Sequence, residues 1–157
     1  MKIGLIGFGK AGKAVANVIL QSNEYSLEWV LRRSTILEHR HVPEFLGIDS
    51  NEPGLIFSTS SIEIEELLSK HPVDIIIDFS SSNGIYSYGK AAASRKIIII
   101  SAISHYDEDE KQLLSELSSK TIVFWSPNIS LGVNYLMFAA KLLKKIAPWV
   151  DIEIIEE

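Results

Sequence analysis

The sequence predicts an α/β fold with a doubly wound parallel sheet, and two observations lead to this prediction. Apolar segments of strand length alternate with helix-like segments along the chain, and the connections between them are short. Parallel strands need a crossover connection, and such crossovers are almost always right-handed. The first apolar segment also runs directly into a glycine-rich turn over residues 7–12, which a helix-like segment follows.

The composition argues against several classes of protein. A chain of 157 residues is long enough for one domain with a hydrophobic core. The net charge of −5 argues against a nucleic-acid surface, because no basic stripe is present to neutralise phosphates. The chain has no cysteine, so it has no disulfide, thiolate metal site or cysteine nucleophile. No apolar run reaches membrane-spanning length and the first residues do not resemble a signal peptide, so we expect a cytoplasmic protein.

Gly7, Gly9 and Gly12 form a G-x-G-x-x-G motif between the first strand and the first helix. Gly7 permits the tight turn, Gly9 lets the backbone approach a pyrophosphate, and Gly12 lets the helix pack close to the sheet. The unpaired N–H groups and the dipole at the helix start favour an anion. The motif therefore predicts dinucleotide binding, and the alternative is a glycine-rich turn without a ligand.

The second predicted strand, residues 26–33, ends in Arg32 and Arg33. In NAD-binding units an acidic residue about 20 positions after the glycines accepts hydrogen bonds from the adenosine ribose. A guanidinium group is unable to accept them, but it suits the additional 2′-phosphate of NADP through charge-assisted hydrogen bonds. We therefore predict NADP as the cofactor, with NAD possible. The alternative is that both arginines are solvated surface charges.

The next elements are predicted from breaks in the hydrophobic periodicity and from helix-capping residues. Residues 34–52 have no clear period and are predicted to be mostly loop, with His39 and His41 on the surface, because no third metal ligand of suitable spacing is nearby. A strand follows at residues 55–58. A helix over residues 62–70 has glutamates in its first turn, and Ser60 or Ser61 is its expected N-cap.

The apolar run over residues 73–79 is typical of a strand in the middle of a parallel sheet. A polar loop, residues 80–84, follows it at the sheet edge where ligands bind in open α/β sheets. The helix over residues 85–95 has three consecutive alanines, which indicates close packing on the sheet. Asp74 and Asp78 share one face of the strand, but we expect Asp74 in solvent and Asp78 near the loop, without a catalytic pair.

The last elements suggest a second domain. The sequence predicts a strand at residues 97–100, a helix to about residue 119 capped by Asp107 or Asp109, a strand at residues 121–125 and an amphipathic helix over residues 135–146. Residues 150–155 alternate acidic and apolar side chains, which suits an antiparallel sheet. We predict a dinucleotide-binding domain over residues 1–130 and the start of a second domain over residues 131–157.

With these segments assembled, the chain resembles the amino-terminal part of the 4-hydroxy-tetrahydrodipicolinate reductase family, nicotinamide-dependent enzymes of the diaminopimelate route to lysine. The resemblance runs through residues 5–13, 73–80, 126–134 and 151–157. Many dehydrogenases share the glycine motif. The segment Ser-Pro-Asn-Ile-Ser-Leu-Gly-Val-Asn at residues 126–134 is far more specific.

The resemblance implies an oxidoreductase that transfers a hydride from the nicotinamide to a cyclic imine, a small dicarboxylate. It also implies a homo-oligomer formed through the second domain, and it places Gly132 and Asn134 at a hinge and a helix start. The cofactor residues that it implies, together with the two arginines, are Gly7, Phe8, Gly9, Lys10, Ala11, Gly12, Arg32, Arg33, Phe79, Ser80, Ser101, Ala102, Ile103, Ser126, Pro127, Asn128 and Ile129.

The sequence departs from the family pattern at one loop. Where the family usually has Gly-Thr-Thr-Gly, this chain has Ser101-Ala102-Ile103-Ser104, which removes polar contacts near the nicotinamide and the substrate. The family's catalytic histidine pair and lysine follow the segment that matches Glu156-Glu157, so we predict no catalytic residue here and expect cofactor binding without turnover. His105 is expected to be an exposed loop residue rather than an acid or base.

Two other functions stay open. The altered loop makes another NAD(P)-dependent oxidoreductase with a different substrate plausible. A module that keeps the fold and senses NAD(P) without chemistry is the third possibility. We predict no metal site, no nucleic-acid partner and no membrane partner.

Overall fold

The computed structural model describes residues 1–153 and 155, and the chain divides into two compact units, Met1–Ser126 and Pro127–Glu157. Six strands, five α-helices and one short 3₁₀ helix, Ser82–Gly84, lie in the first unit, and the sixth α-helix lies in the second. The strands are β1 Lys2–Ile6, β2 Ser26–Arg32, β3 Leu55–Ser58, β4 Ile75–Asp78, β5 Ile98–Ser101 and β6 Val123–Trp125. The helices are α1 Lys10–Leu20, α2 Val42–Leu46, α3 Ile64–Lys70, α4 Ile85–Ser94, α5 Glu108–Ser118 and α6 Leu131–Ile146.

The six strands form one parallel sheet in the order β3-β2-β1-β4-β5-β6. The predicted doubly wound parallel sheet is therefore confirmed. The strand order reverses between β1 and β4, and in such sheets ligands bind beyond the carboxyl ends of the strands at this switch point. The loops after β1 and β4 flank this position.

Two apolar layers cover the two faces of the sheet. One layer packs Leu5 of β1 against Ala16 and Ile19 of α1. The other contains apolar residues of α3, α4 and α5, including the fully buried Tyr88, and also the fully buried Tyr106 from the loop after β5. Alternating side chains of the central strands reach both layers, which explains why these strands are apolar along their length.

Helix α1 packs onto the sheet through a close backbone approach. A Cβ atom at Gly12 would overlap the carbonyl oxygen of Gly7, so only glycine fits at this helical position. Gly9 lies at the N-cap with φ −79°, and a Cβ atom there would meet nothing within 4 Å. Packing within the described residues therefore explains the glycine at Gly12 and gives no reason for the one at Gly9.

The N-cap of α3 differs from the prediction. The helix begins after Glu63, whereas Ser60 or Ser61 was expected to cap it. Both hydroxyls have other partners: Ser60 Oγ bonds Ser58 Oγ at 2.8 Å, and Ser61 Oγ donates to Glu38 Oε2 at 3.0 Å. Ser60 therefore bonds to the end of β3 and Ser61 to the loop after β2, and neither residue caps the helix.

The other helix signals had mixed outcomes. Of the two predicted caps of α5, Asp107 is the N-cap, since its carboxylate accepts from the Glu110 amide at 2.9 Å in a capping box, and Asp109 lies in the first turn. Helix α6 begins at Leu131, four residues before the predicted start, with Ser130 as its N-cap. Residues 34–52 are mostly loop, as predicted, apart from the short helix α2.

The predicted last strand is wrong for the residues that the structure describes. Residues 150–153 and 155 are not in a strand, and Ile154 lies outside the described residues. A strand needs a partner for its backbone hydrogen bonds, and none of the strands that the structure describes pairs with this segment. Among the described residues, no helix is long and apolar enough to span a bilayer, and no three side chains are arranged to hold a metal ion.

The first testable prediction compares two motif glycines. We expect Gly12→Ala to lower the free energy of unfolding by about 1–3 kcal/mol, because the new methyl group meets a backbone oxygen that is fixed by the sheet. Gly9→Ala should change the free energy of unfolding by less than about 1 kcal/mol, because the reduced entropy of the unfolded chain and the poorer N-cap propensity of alanine act in opposite directions. Urea unfolding followed by circular dichroism measures both. Equal destabilisation by the two variants would contradict this account of α1.

Candidate cofactor site

The turn after β1 is held against the loop after β4. Gly7 has φ +91°, a left-handed conformation that favours glycine, and its N–H donates to the carbonyl of Leu31 at 2.9 Å. A Cβ atom on Gly7 would lie 2.6 Å from the carbonyl carbon and oxygen of Phe79. The turn and the β4 loop therefore meet at the switch point of the sheet, where the sequence motif predicts the pyrophosphate.

No acidic side chain of α1 itself lies at its N-terminus to offset the partial positive charge of the helix dipole there. Its N-cap, Gly9, has no side chain to accept a hydrogen bond, and the first turn contains no acidic residue. By contrast, α5 has the capping Asp107 and three acidic residues in its first turn. The partial positive charge of the α1 N-terminus thus remains available to an anion, which suits a phosphate group.

Three neighbours of the turn have different roles. Phe8 is buried in the core and its ring lies 5.8 Å from that of Phe45, so Phe8 offers its backbone rather than its side chain to a ligand. The Lys13 ammonium group lies 4.8 Å from the Phe45 ring centroid and 5.8 Å from that of Phe8, a cation–π arrangement. Lys10 and Ala11 are exposed at the helix start.

Arg32 and Arg33 lie at the carboxyl end of β2, next to the turn after β1. Arg32 is half-buried as a residue, and its guanidinium group donates to the carbonyl of Ile36 at 2.9 Å. Arg33 is exposed, and its carbonyl accepts from Ser58 Oγ at 3.3 Å. A guanidinium group has five N–H donors, so the bond to Ile36 leaves Arg32 able to bind a phosphate.

A cavity opens between the loops after β4 and β5. Its lining residues are Phe79, Ser80, Ser81, Ser82, Ala102, Ile103, Ser104 and His105. His105 is exposed, as expected of a loop residue. Four of the predicted cofactor residues, Phe79, Ser80, Ala102 and Ile103, therefore lie around one space at the carboxyl edge of the sheet.

The side chains of Ser101 and Ile103 point into the protein. Ser101 is fully buried, and its hydroxyl lies 2.8 Å from that of Tyr106. Ile103 is 7% exposed, and its carbonyl accepts from Trp125 Nε1 at 2.8 Å. Their contribution to a ligand is thus limited to the backbone. Internal contacts fix this loop, although it lacks the glycines and threonines usual in the family it resembles.

Asp78 has a buried carboxyl group at the end of β4. The sequence predicts it near the loop after β4 and assigns it no catalytic role. Its Oδ1 accepts from the Ser80 amide at 2.8 Å and the Ser80 hydroxyl at 2.6 Å, and its Oδ2 accepts from Tyr88 at 2.9 Å. Burial raises the pKa of Asp78, although the bonds from Ser80 and Tyr88 act in the opposite direction. Asp74 is exposed at the other end of the strand region, where it accepts from the Lys2 amide at 2.8 Å.

The last predicted stretch, residues 126–129, spans the boundary between the two units. In the first unit, the Ser126 amide donates to the carbonyl of Ser101 at 3.2 Å. In the second unit, Asn134 Nδ2 donates to the carbonyls of Asn128 and Ser130, both at 2.9 Å. Pro127 and Ile129 are exposed. Asn134 lies in the first turn of α6, where it holds the preceding loop.

The strand order, the glycine turn at the switch point and the free helix N-terminus define a Rossmann-type dinucleotide-binding domain. A family model described as "Dihydrodipicolinate reductase, N-terminus" matches residues 1–129. The chain therefore belongs to the dihydrodipicolinate reductase family and corresponds to its N-terminal part, as the sequence resemblance predicted.

Curated relatives extend this match. The chain is 32% identical over 149 residues to 4-hydroxy-tetrahydrodipicolinate reductase of Caldanaerobacter subterraneus, covering 95% of the chain and 51% of the relative. It is 27% identical over 157 residues to the enzyme of the same name from Acinetobacter baylyi, covering 99% and 55%. The chain thus spans about half the length of these relatives.

Solved structures share the fold at low sequence identity. Dipicolinate-bound dihydrodipicolinate reductase from Paenisporosarcina sp. TG-14 superposes with a TM-score of 0.64 at 15% identity, covering 92% of this chain and 53% of that one. Scyllo-inositol dehydrogenase from Lactobacillus casei, solved with NAD(H) and scyllo-inositol, gives a TM-score of 0.60 at 15% identity, covering 92% and 42%.

The second prediction concerns the pH dependence of stability. Because burial raises the pKa of Asp78 above its ordinary 3.8, the folded state holds this proton more tightly than the unfolded chain does. The protonated Asp78 side chain therefore makes its full contribution to stability below about pH 4. That contribution is lost as the pH rises through the folded-state pKa of Asp78. We expect the free energy of unfolding of the wild type to fall relative to Asp78→Asn over this range, by at most about 1.4 kcal/mol per pH unit.

Urea unfolding of both proteins between pH 4 and neutrality measures this difference. In Asp78→Asn the amide oxygen retains the bonds from Ser80, and the amide nitrogen donates to the Tyr88 hydroxyl. A constant difference across the range, or a wild type that gains stability relative to the variant, would contradict the raised pKa.

Proposed function

We propose that the chain binds a nicotinamide dinucleotide, NADP(H) in preference to NAD(H), and is the cofactor domain of a reductase. The observation that carries the proposal is Gly9. Its Cβ position is clear of described protein atoms within 4 Å, so packing does not require glycine there. A pyrophosphate that approaches the backbone at the N-terminus of α1 does require it.

The proposed binding mode assigns each part of the dinucleotide to one segment. Residues 7–12 bind the pyrophosphate through backbone N–H groups, and Arg32 and Arg33 meet the 2′-phosphate of the adenosine ribose. The loops with Phe79 and Ser80 and with Ala102 and Ile103 line the nicotinamide half. The family resemblance adds residues 126–129 to the proposed cofactor residues. The similar fold of a scyllo-inositol dehydrogenase solved with NAD(H) supports this cofactor class.

The proposed reaction follows from the family. The bound cofactor supplies a hydride, and the acceptor is a cyclic imine dicarboxylate of the diaminopimelate route in the cytoplasm. The residues of this chain hold and orient the dinucleotide. We propose that residues 131–157 begin a substrate and oligomerisation domain, in keeping with relatives about twice as long as this chain. Catalysis then requires that domain.

A reductase with a different substrate is the second candidate, and the β5 loop favours it. The Ser101 hydroxyl is fully buried against Tyr106 and the Ile103 side chain is only 7% exposed. Neither replaces the hydroxyl groups of the Gly-Thr-Thr-Gly loop. A substrate that depends less on polar contacts at this loop would suit the chain better.

The third prediction tests the pyrophosphate role of Gly9. We expect Gly9→Ala to weaken NADPH binding by at least about tenfold, because the methyl group occupies the space that the phosphate approaches. Titration calorimetry measures the affinity, and the unfolding experiment above supplies the control for stability. NADPH binding of wild-type strength by Gly9→Ala would contradict the proposed pyrophosphate position.

The fourth prediction tests cofactor choice. We expect tighter binding of NADPH than of NADH, and we expect Arg32→Asp to abolish the preference, because the carboxylate repels the 2′-phosphate and accepts from the ribose hydroxyls. Lys120→Asp has the same charge change at an exposed position before β6, at the opposite edge of the sheet, and should keep the preference.

Titration of both nucleotides into the wild type and the two variants measures the preference. Equal affinities in the wild type would contradict the role of Arg32 and Arg33 and leave the nicotinamide site in place. Binding of neither nucleotide would contradict the proposed function.

A further inference from the structure

Two buried hydrogen-bonded pairs lie behind the loops after β4 and β5. In the first, Tyr88 of α4 donates to Asp78 at 2.9 Å, and Asp78 in turn accepts from both the amide and the hydroxyl of Ser80. In the second, the hydroxyls of Tyr106 and Ser101 lie 2.8 Å apart. Asp78 and Ser101 are register partners at the ends of β4 and β5, so their side chains share one face of the sheet.

The two pairs lie side by side beneath the loops, because Asp78 and Ser101 are register partners on neighbouring strands. Burial raises the pKa of Tyr88 well above its usual value, and the neighbouring Asp78 and Tyr106 add to the rise. Burial also raises the pKa of Tyr106 to about 12, with Asp78 contributing. Both hydroxyls therefore stay protonated at neutral pH. Among the described residues, no buried side-chain nitrogen or oxygen lacks a hydrogen-bond partner.

Each pair is tied to the backbone of one loop. Asp78 holds the Ser80 amide, which fixes the direction in which the chain leaves β4 toward the cavity. Ser101 Oγ accepts from the Ile103 amide at 3.4 Å, and Tyr106 packs on Trp125, whose Nε1 binds the Ile103 carbonyl. The loops that line the cavity are therefore fixed by buried side chains that do not line the cavity themselves.

We propose that Tyr88 and Tyr106 are positioning residues, which hold the β4 and β5 loops in the conformation that receives the nicotinamide half of the dinucleotide. The inference rests on the proposed function. The adenosine half of a dinucleotide lies on the side of β1, β2 and β3, where the residue after β2 meets the ribose. The nicotinamide half then lies over β4 and β5, so the two tyrosines act on one half of the ligand only.

This asymmetry provides the test. Two probes are titrated into each protein: NADPH, which occupies both halves, and adenosine 2′,5′-bisphosphate, which occupies the adenosine half alone. We expect Tyr88→Phe and Tyr106→Phe to weaken NADPH binding by about fivefold or more, as for the loss of one hydrogen bond, with the bisphosphate affinity changed by less than about twofold. Tyr86→Phe, an exposed residue of the same helix as Tyr88, is the matched control and should change neither affinity.

A second substitution at the same hydrogen bond tests the proposal even if one of the phenylalanine variants does not fold. Ser101→Ala removes the partner of the Tyr106 hydroxyl and also the acceptor of the Ile103 amide, so it should weaken NADPH binding at least as much as Tyr106→Phe does. The double variant should then bind NADPH as tightly as Ser101→Ala alone, because that variant has already lost the bond to Tyr106. Additive losses would mean that the two hydroxyls act separately, and would overturn the positioning role of this pair.

The remaining outcomes separate the inference from the function on which it rests. NADPH affinities of wild-type strength in both phenylalanine variants would overturn the positioning role. Equal losses for the two probes would also overturn it, because they would reflect general destabilisation of the domain. A wild type that binds neither probe would refute the proposed function and, with it, the positioning role.

Discussion

The backbone contact between the turn after β1 and the loop after β4 is the constraint on which the rest of the structure depends. Gly7 adopts a left-handed conformation against Phe79, and Gly12 lies against the carbonyl of Gly7. Because glycine has no Cβ atom at these two positions, β1, α1 and the β4 loop approach one another at backbone distance. The sheet reverses its strand order at this point. A crevice at the switch point and an open helix N-terminus follow from the same geometry.

The two halves of the site present different chemistry. Around the turn and the end of β2, the basic side chains are Lys10, Lys13, Arg32 and Arg33, although the chain as a whole has a net charge of −5. Local positive charge therefore opposes the overall field where phosphates are proposed to bind. The loops after β4 and β5 are instead rich in serine, and a buried carboxylate, Asp78, supports them from within. The two parts of a dinucleotide differ in the same way: its phosphate groups are charged, whereas its nicotinamide is a flat ring that fits a cavity.

The β5 loop illustrates how a family position can change its chemistry while the fold is kept. Membership in the dihydrodipicolinate reductase family rests on residues 1–129, which include this loop. Ser101 and Ile103 nevertheless turn inward, where Tyr106 and Trp125 bind them. A loop without glycines is held in place here by side-chain hydrogen bonds and ring packing. The order of this loop thus does not depend on glycine or threonine residues within it.

The sequence by itself determined the features that depend on short-range physics. The alternation of strands and helices, the glycine turn before α1 and the Asp107 cap are all visible as local patterns, because capping and periodicity involve residues within a few positions of one another. Only the tertiary structure decided the pairings between distant residues. Ser61 binds Glu38 and so fails to cap α3, Tyr88 binds Asp78, and the segment at residues 150–153 finds no strand partner among the described residues. Such contacts depend on which elements the fold brings together, and no spacing rule along the chain encodes them.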